Sequence, residues 1–420
     1  MMSGTKPNEI SNIMGLICVN CGARHAAGEA FTCPRCGIDE GILDVEFDMV
    51  AARQTLTRAA LAGRVRSHWR YRELLPVPAV GDLTPPVIGW TPLLEAPRLA
   101  EALGVRRLRL KDDSRSASGS FKDRPSAVAV TRALAEGAKE VACASTGNAA
   151  SSLAHCAAAA GLRANIFVPA RVPQGKLAQL LAYGARVFKV EGTYDEAWRL
   201  CMAACARFGW YNRNCAVNPY LVEGKKTGGL EIAEQCADDP PDWVSASVGD
   251  GCSIAGVWKG IRQMREVGIT DWTARMLGVQ AQGVAPIAVA FETGRLDRTA
   301  RNGDTYADSI NCPVPRNWRK AVNAVRESGG AFVTVTDNEI REAVRLTGRL
   351  SGIFAEPAAA AAVAGVAAAR RAGIIAADAS VAVVISGNGL KDLAGALSAV
   401  GEPFSVPPDL GAVTHIVEKG

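Results

Sequence analysis

Arg107-Leu-Arg-Leu-Lys111 leads, two residues on, into Ser114-Arg-Ser-Ala-Ser-Gly-Ser-Phe-Lys-Asp-Arg124 and then into an Ala-rich stretch ending at Gly137. The first segment suits a short strand, Phe121–Gly137 carries a helical pattern, and the small residues between them form the connection. Outward from this point the same alternation repeats. Short apolar or β-branched runs occur at Glu140–Ala144, Ala164–Val168, Arg186–Val190, Trp243–Val248, Met276–Gln280 and Val381–Ile385. Helical patterns lie between them, among them Asn148–Gly161, Gln174–Tyr183 and Tyr194–Phe208. Strands alternating with helices predict β-α-β units and a mainly parallel sheet, an α/β fold. Lys122 then sits at a strand-to-helix transition on the carboxyl edge of the sheet, where α/β enzymes bind ligands.

The remaining composition fits that class. The 420 residues are 48% hydrophobic and 21% charged, enough for two or three units sharing a sizeable core. A net charge of +5 is small for this length and gives no reason to expect nucleic acid or membrane binding, though it suits anionic ligands. The polar start, Met1 to Ile13, lacks a secretory signal's order. The Ala-rich run Ala358–Ala369, interrupted by Gly365, is too short to span a bilayer and reads as a packed helix. An Arg-rich stretch, Leu61 to Leu74, is helix-like, and Arg295 to Arg319 reads as a long loop. Scattered cysteines in a long α/β chain point to a reducing, cytoplasmic setting.

Four of the twelve cysteines form two pairs, Cys18-x-x-Cys21 and Cys33-Pro-Arg-Cys36, separated by 11 residues and each followed by glycine (Gly22, Gly37). Two such turns match zinc knuckles that together complete a tetrahedral thiolate site, structural because four thiolates leave no open position. The alternative is four ordinary thiols. Arg24, His25 and Arg35 nearby are too few to indicate nucleic acid.

Ser120-Phe-Lys-Asp-Arg124 resembles the pyridoxal-phosphate lysine motif of the threonine synthases, in the tryptophan-synthase-β-like, fold type II superfamily. Six further blocks follow in that family's order: Ser145-Thr-Gly-Asn148; Lys176-Leu-Ala-Gln179 with Tyr183-Gly-Ala185; Asn218-Pro219 with Glu223-Gly224 and Lys226-Thr227; Gly249-Asp-Gly251; Ile353-Phe-Ala-Glu-Pro357; and Ser386-Gly-Asn-Gly-Leu-Lys-Asp392. The resemblance covers roughly Gly89 to Leu393 and extends to the cysteine ribbon that some members carry. It implies a fold type II enzyme with two parallel or mixed-sheet α/β domains, the cofactor between them, and an N-terminal zinc-ribbon-like module. The corresponding division is 1–45 for the module, 46–129 with 212–420 for the large cofactor-binding domain, and 130–211 for a smaller substrate-side domain.

Residue roles follow from the same resemblance. Lys122 would carry the cofactor and act as the base at Cα, its pKa lowered by burial. Asn148 would bond the pyridoxal 3′-oxygen, and Ser386 would face the pyridine nitrogen. A hydroxyl there makes a weaker electron sink than a carboxylate would, which suits elimination and replacement. Gly249, Asp250, Gly251, Cys252 and Ser253 would cradle the cofactor phosphate through backbone amides, the Asp250 carboxylate turned away. Ser145 and Thr146, at a helix N-terminus, suit the substrate carboxylate. The expected partners are an amino-acid substrate and a second copy of the chain, with structural Zn2+ as the second cofactor.

The pattern breaks where the family meets the distal phosphate of O-phosphohomoserine. Leu221 stands in place of arginine, Cys215-Ala216 in place of Asn-Ser, Ala149 in place of threonine, and Ser116-Ala117-Ser118 in place of Asn-Pro-Thr. Lys225, in place of glutamine, supplies a point charge without an arginine's fork. Losing a charge-assisted bond costs about 1.5–3 kcal/mol. These losses predict a lyase, a dehydratase or ammonia-lyase or a β-replacement enzyme, acting on an amino acid other than O-phosphohomoserine. The alternatives are an authentic threonine synthase and a non-catalytic binding protein on the same scaffold.

Overall fold

The computed structural model describes residues 12–79, 81, 83, 85, 87–145, 147–170, 174–215, 217–299 and 303–419. Three sheets organise them. The N-terminal module is a small antiparallel sheet of β1 (Ile13–Cys18), β2 (Arg24–His25) and β3 (Leu43–Phe47), in the order β2-β1-β3. The main sheet uses β4 (Leu93–Glu95) and β5 (Arg107–Asp112). The chain then leaves to build a second sheet from β6 (Glu140–Ala144), β7 (Arg163–Pro169), β8 (Arg186–Val190) and β9 (Tyr211–Asn212). It returns through β10 (Trp243–Ser247), β11 (Arg275–Ala281), β12 (Ala331–Val335) and β13 (Ser380–Ile385).

The main sheet runs β12-β11-β10-β13-β5-β4, parallel throughout except for the antiparallel edge strand β4, and the second runs β8-β7-β6-β9, all parallel. Strand β13 is buried at all six positions, as a central strand covered on both faces must be. One covering element is the Ala-rich helix Pro357–Arg371, as its composition predicts. It lies so close to the sheet that a Cβ on Gly365 would sit 2.2 Å from Val279 Cγ2, and Ser245 Oγ donates to the Ala362 carbonyl at 2.8 Å. Small residues permit this approach; larger ones would force the layers apart. No helix among the described residues is long and apolar enough to cross a membrane.

Local pattern was least informative where elements are short or half-exposed. The edge strand β12 keeps three of five residues only partly buried and β9 has two residues, so neither shows the alternation that marks a strand. The Arg-rich stretch is not one helix. Helix Arg58–Ala62 stops at Gly63, and a separate 3-10 turn, His68–Leu74, follows. Arg64 folds back onto Glu73 Oε2 at 2.8 Å and fixes the bend. Among its described residues the Arg295–Arg319 loop contains one 3-10 turn, Asp308–Ile310, and it ends as helix Trp318–Glu327 begins.

Candidate active site

The carboxyl ends of β6, β10 and β13 converge on one cavity of about 710 Å³. Lys122 lines it. The residue is the N-cap of helix Asp123–Ala135, and its loop is stitched to the segment after β13: Phe121 N donates to the Ser386 carbonyl at 2.9 Å, and Asn388 N to the Gly119 carbonyl at 3.0 Å. Two residues on, the buried Arg124 anchors the loop from below, its Nε donating to Asp113 at 2.7 Å and its Nη2 to Glu231 at 2.8 Å. The Lys122 amine has no hydrogen-bond partner among the described residues. Burial first, and the nearby Lys225 ammonium second, hold its pKa below the usual lysine range.

Gly249, Asp250, Gly251, Cys252 and Ser253 line the same cavity where β10 turns into helix Cys252–Glu266. Gly251 has φ +98°, and no side chain caps the helix, so its first-turn N–H groups are left for an anion in the cavity. The Asp250 carboxylate is engaged elsewhere: it accepts from Arg316 N at 2.8 Å and Asn317 Nδ2 at 2.5 Å. Burial raises its pKa. Ser386 also lines the cavity, at the end of β13.

Asn148 opens helix Asn148–Ala159 but is not itself among the residues lining the cavity. Its Nδ2 donates to both carboxylate oxygens of the buried Glu356, at 3.1 and 2.9 Å, and Glu356 does line it. Asn148 Oδ1 is buried with no partner. Ser145 lines the cavity, with its Oγ accepting from Gly147 N at 3.1 Å. Thr146 lies outside the described residues, as does Ala216. An unpartnered amine and an uncapped helix start on one cavity are what a carbonyl-bearing, phosphorylated cofactor would satisfy, so these residues fit pyridoxal phosphate.

Lys225 lies on the wall beside Cys252. It is fully buried; Nζ is 3.2 Å from Cys215 Sγ and also donates to Cys252 Sγ. Burial pulls its pKa down, but the Cys215 and Cys252 sulfurs outweigh that and raise it. Leu221 behaves differently. It is fully buried in a hydrophobic cluster with Tyr220, Val128 and Leu153 and does not line the cavity. The structure also brings in residues to which the sequence patterns assigned no role: Glu356, Arg213, Arg298 and Arg316. Glu356 alone had a visible signal, since it stands within Ile353-Phe-Ala-Glu-Pro357.

In the N-terminal module the four sulfurs of Cys18, Cys21, Cys33 and Cys36 lie within 4.8 Å of one another, with Cys18–Cys36 and Cys21–Cys33 each at 3.8 Å. Tetrahedral Zn–S bonds of about 2.3 Å require sulfurs about 3.8 Å apart. Gly22 and Gly37 both have φ +71°, and their N–H groups return to the Cys18 and Cys33 carbonyls at 2.9 and 3.0 Å, giving two matched knuckles. These residues fit a zinc ion. The module also reaches the cavity: Asp39 lines it and meets Arg316 at 3.3 Å, and Glu40 meets Arg298 at 2.6 Å.

The model of the pyridoxal-phosphate-dependent enzyme family matches residues 84–387. The chain is 38% identical over 407 residues to a threonine synthase of Methanosarcina acetivorans, covering 96% of this chain and 98% of that one. It is 41% identical over 327 residues to a threonine synthase of Synechocystis, covering 77% and 82%. Among solved structures it is similar to the processed form of threonine deaminase isoform 2 from Solanum lycopersicum, with a TM-score of 0.64 at 25% identity, covering 74% of this chain and 87% of that one. The curated relatives overturn the expectation, drawn from Leu221, Cys215, Ala216 and Ala149, of a substrate other than O-phosphohomoserine. The physical weakness of that expectation lies at Leu221. Its side chain is a core position, so it reports on packing, while the cavity draws its cationic side chains from elsewhere.

Proposed function

The chain belongs to the pyridoxal-phosphate-dependent enzymes and, within them, to the threonine synthase family, and on that footing we propose that it converts O-phosphohomoserine and water to threonine and phosphate. The observation that carries this reading is the pairing, in one cavity, of an unpartnered Lys122 amine with an uncapped helix start and a fully buried Lys225. In bond terms, the Cγ–O bond breaks and phosphate leaves, Cγ gains a proton, and Cβ gives up one hydrogen as a proton and takes the hydroxyl of water. The elimination half of that change makes the enzyme a lyase.

Pyridoxal phosphate, when bound, supplies the electron sink that acidifies the carbon bearing the amino group. Lys122 would hold it and then take and return protons at Cα, a role suited to an amine whose lowered pKa keeps a neutral fraction. The backbone N–H groups of Gly249, Asp250, Gly251, Cys252 and Ser253 would hold the cofactor phosphate, Ser386 would face the ring nitrogen, and Asn148 would bond the ring's oxygen. Ser145, at the start of helix Asn148–Ala159, would orient the substrate carboxylate; Thr146 rests on the sequence argument alone. Lys225 would meet the distal phosphate.

The four cysteines of the module would hold one structural zinc ion. The domain assignment carries over with it: 1–45 for the module, 46–129 with 212–420 for the cofactor side, 130–211 for the substrate side. A homodimer in the cytoplasm completes the reading, in keeping with twelve cysteines of which none forms a disulfide. The test is direct. Purified holoenzyme given O-phosphohomoserine should release phosphate and threonine in equal amounts, with kcat/KM of about 10⁴ M⁻¹s⁻¹ or more. Release below about 10² M⁻¹s⁻¹ would refute it.

A further inference from the structure

Most fully buried cations of this protein have carboxylate partners. Arg124 pairs with Asp113 and Glu231, Lys111 with Glu231, and Lys226 with Glu223. On the cavity wall two do not. Arg213 is 2% exposed and follows directly on β9, its backbone N bonded to the Ala142 carbonyl at 2.8 Å. Its Nε donates to Ser126 Oγ at 3.0 Å and its Nη1 reaches Cys215 Sγ at 3.4 Å, while Nη2 is buried with no partner. Lys225 has only the Cys215 and Cys252 sulfurs. Neither has a carboxylate partner among the described residues, and the Cys215 sulfur is the one acceptor they share.

A buried charge must be paired or must neutralise itself, and an arginine cannot lose its proton. The unsatisfied Nη2 of a cavity-lining arginine is therefore a place prepared for an anion from outside the chain. The Cys215 thiol responds to the same surroundings. Its hydrogen bond with Cys252 first, then the Lys225 and Arg213 charges, hold its pKa well below the usual thiol range. The cofactor phosphate has its own seat at the start of helix Cys252–Glu266, which leaves these two cations for a second anion.

We propose that Arg213, with Lys225 beside it, is the subsite for the distal phosphate of the substrate, taking over the task of the arginine that the family pattern expects at Leu221. This rests on the reading of O-phosphohomoserine as the substrate. Arg213 supplies, through its free Nη2, a permanently charged donor held in place by its bonds to Ser126 and Cys215, and Lys225 lies one helical turn beyond Leu221 on helix Tyr220–Gln235. When a phosphate binds, the cationic charge is shared and Cys215 takes up a proton.

The test uses holoenzyme, so that the cofactor phosphate is in place, and inorganic phosphate as the probe. Arg213→Met should weaken phosphate binding measured by calorimetry, and raise KM for O-phosphohomoserine, each by about 10- to 150-fold, the worth of one charge-assisted contact. Arg213→Lys should recover part of this. Binding of L-homoserine, which lacks the phosphate, should be unchanged as read from the cofactor's absorbance. Phosphate should slow iodoacetamide labelling of Cys215 in the wild type and not in Arg213→Met. Equal weakening of L-homoserine and phosphate would mean that Arg213 only supports the fold, and unchanged phosphate binding would mean it does not touch the anion; either result overturns the subsite. If the wild type binds phosphate through Arg213 yet does not turn over O-phosphohomoserine, the substrate reading falls and the subsite stands.

Discussion

Replacing Gly251 by alanine should empty the enzyme of cofactor before it unfolds the protein. Gly251 has φ +98°, a conformation that costs a residue with a Cβ about 1–2 kcal/mol. The added Cβ would lie 2.9 Å from both the Ala321 Cβ and the Asn317 carbonyl oxygen. Its residue is tied to Asp250 twice, by the preceding Arg316 N at 2.8 Å and by its own side-chain Nδ2 at 2.5 Å, so the oxygen cannot yield without dragging the loop. Overpacking of this kind adds about 1–3 kcal/mol. The loop can relieve most of the total by moving, and the cost then reappears as lost cofactor affinity, about 30-fold at the lower end of the range. The assay is titration of apoenzyme with pyridoxal phosphate followed by absorbance. Gly137→Ala is the control: φ there is +76° and a Cβ would meet nothing within 4 Å, so it should cost stability alone and leave the titration unchanged. A Gly251→Ala dissociation constant within about threefold of wild type would refute the argument that this turn holds the cofactor's phosphate.

Three further outcomes are expected. Borohydride treatment of the holoenzyme should fix the cofactor on Lys122 and on no other residue, and Lys122→Ala should lose both the adduct and activity; mapping of the adduct to another lysine would contradict the assignment. About one zinc per chain should be lost in a Cys18→Ala/Cys36→Ala variant that still binds cofactor, and because Asp39 and Glu40 meet Arg316 and Arg298 at the cavity, KM should rise; unchanged zinc content would rule the site out. His68 is fully buried, and burial first, then the Arg124 charge, lower its pKa to about 3. The folded state therefore holds fewer protons than the unfolded one between that value and about 6.5, so the stability is present above about pH 6.5 and declines as pH falls through this window. At pH 5 the loss relative to pH 7 should be about 2 kcal/mol larger in wild type than in His68→Phe by urea titration; equal losses would show that His68 does not titrate this way.

Three features of this protein were local. The strand-then-helix period from Arg107 onward, the two C-x-x-C turns with their glycines, and Lys122 at the foot of a helix each lie within a short window, where chain geometry alone dictates hydrophobic spacing or turn chemistry. Those the amino-acid sequence determined. The cavity was another matter. Asn148 meets Glu356 across 208 residues, and Asp39 reaches Arg316 across 277, distances over which periodicity says nothing. At Leu221 the sequence was misleading: it shares a helix face with Lys225 one turn on, yet its end of that face is packed into the core, and how far along the helix the cavity extends depends on how two sheets and their helices close together. Arg213 follows a two-residue strand too short to leave a pattern, and its buried, half-satisfied guanidinium exists only because tertiary packing encloses it without supplying a carboxylate. Charge identity was legible in the chain; which charges are left unpaired was decided by the fold, because pairing requires contacts that sequence separation does not encode.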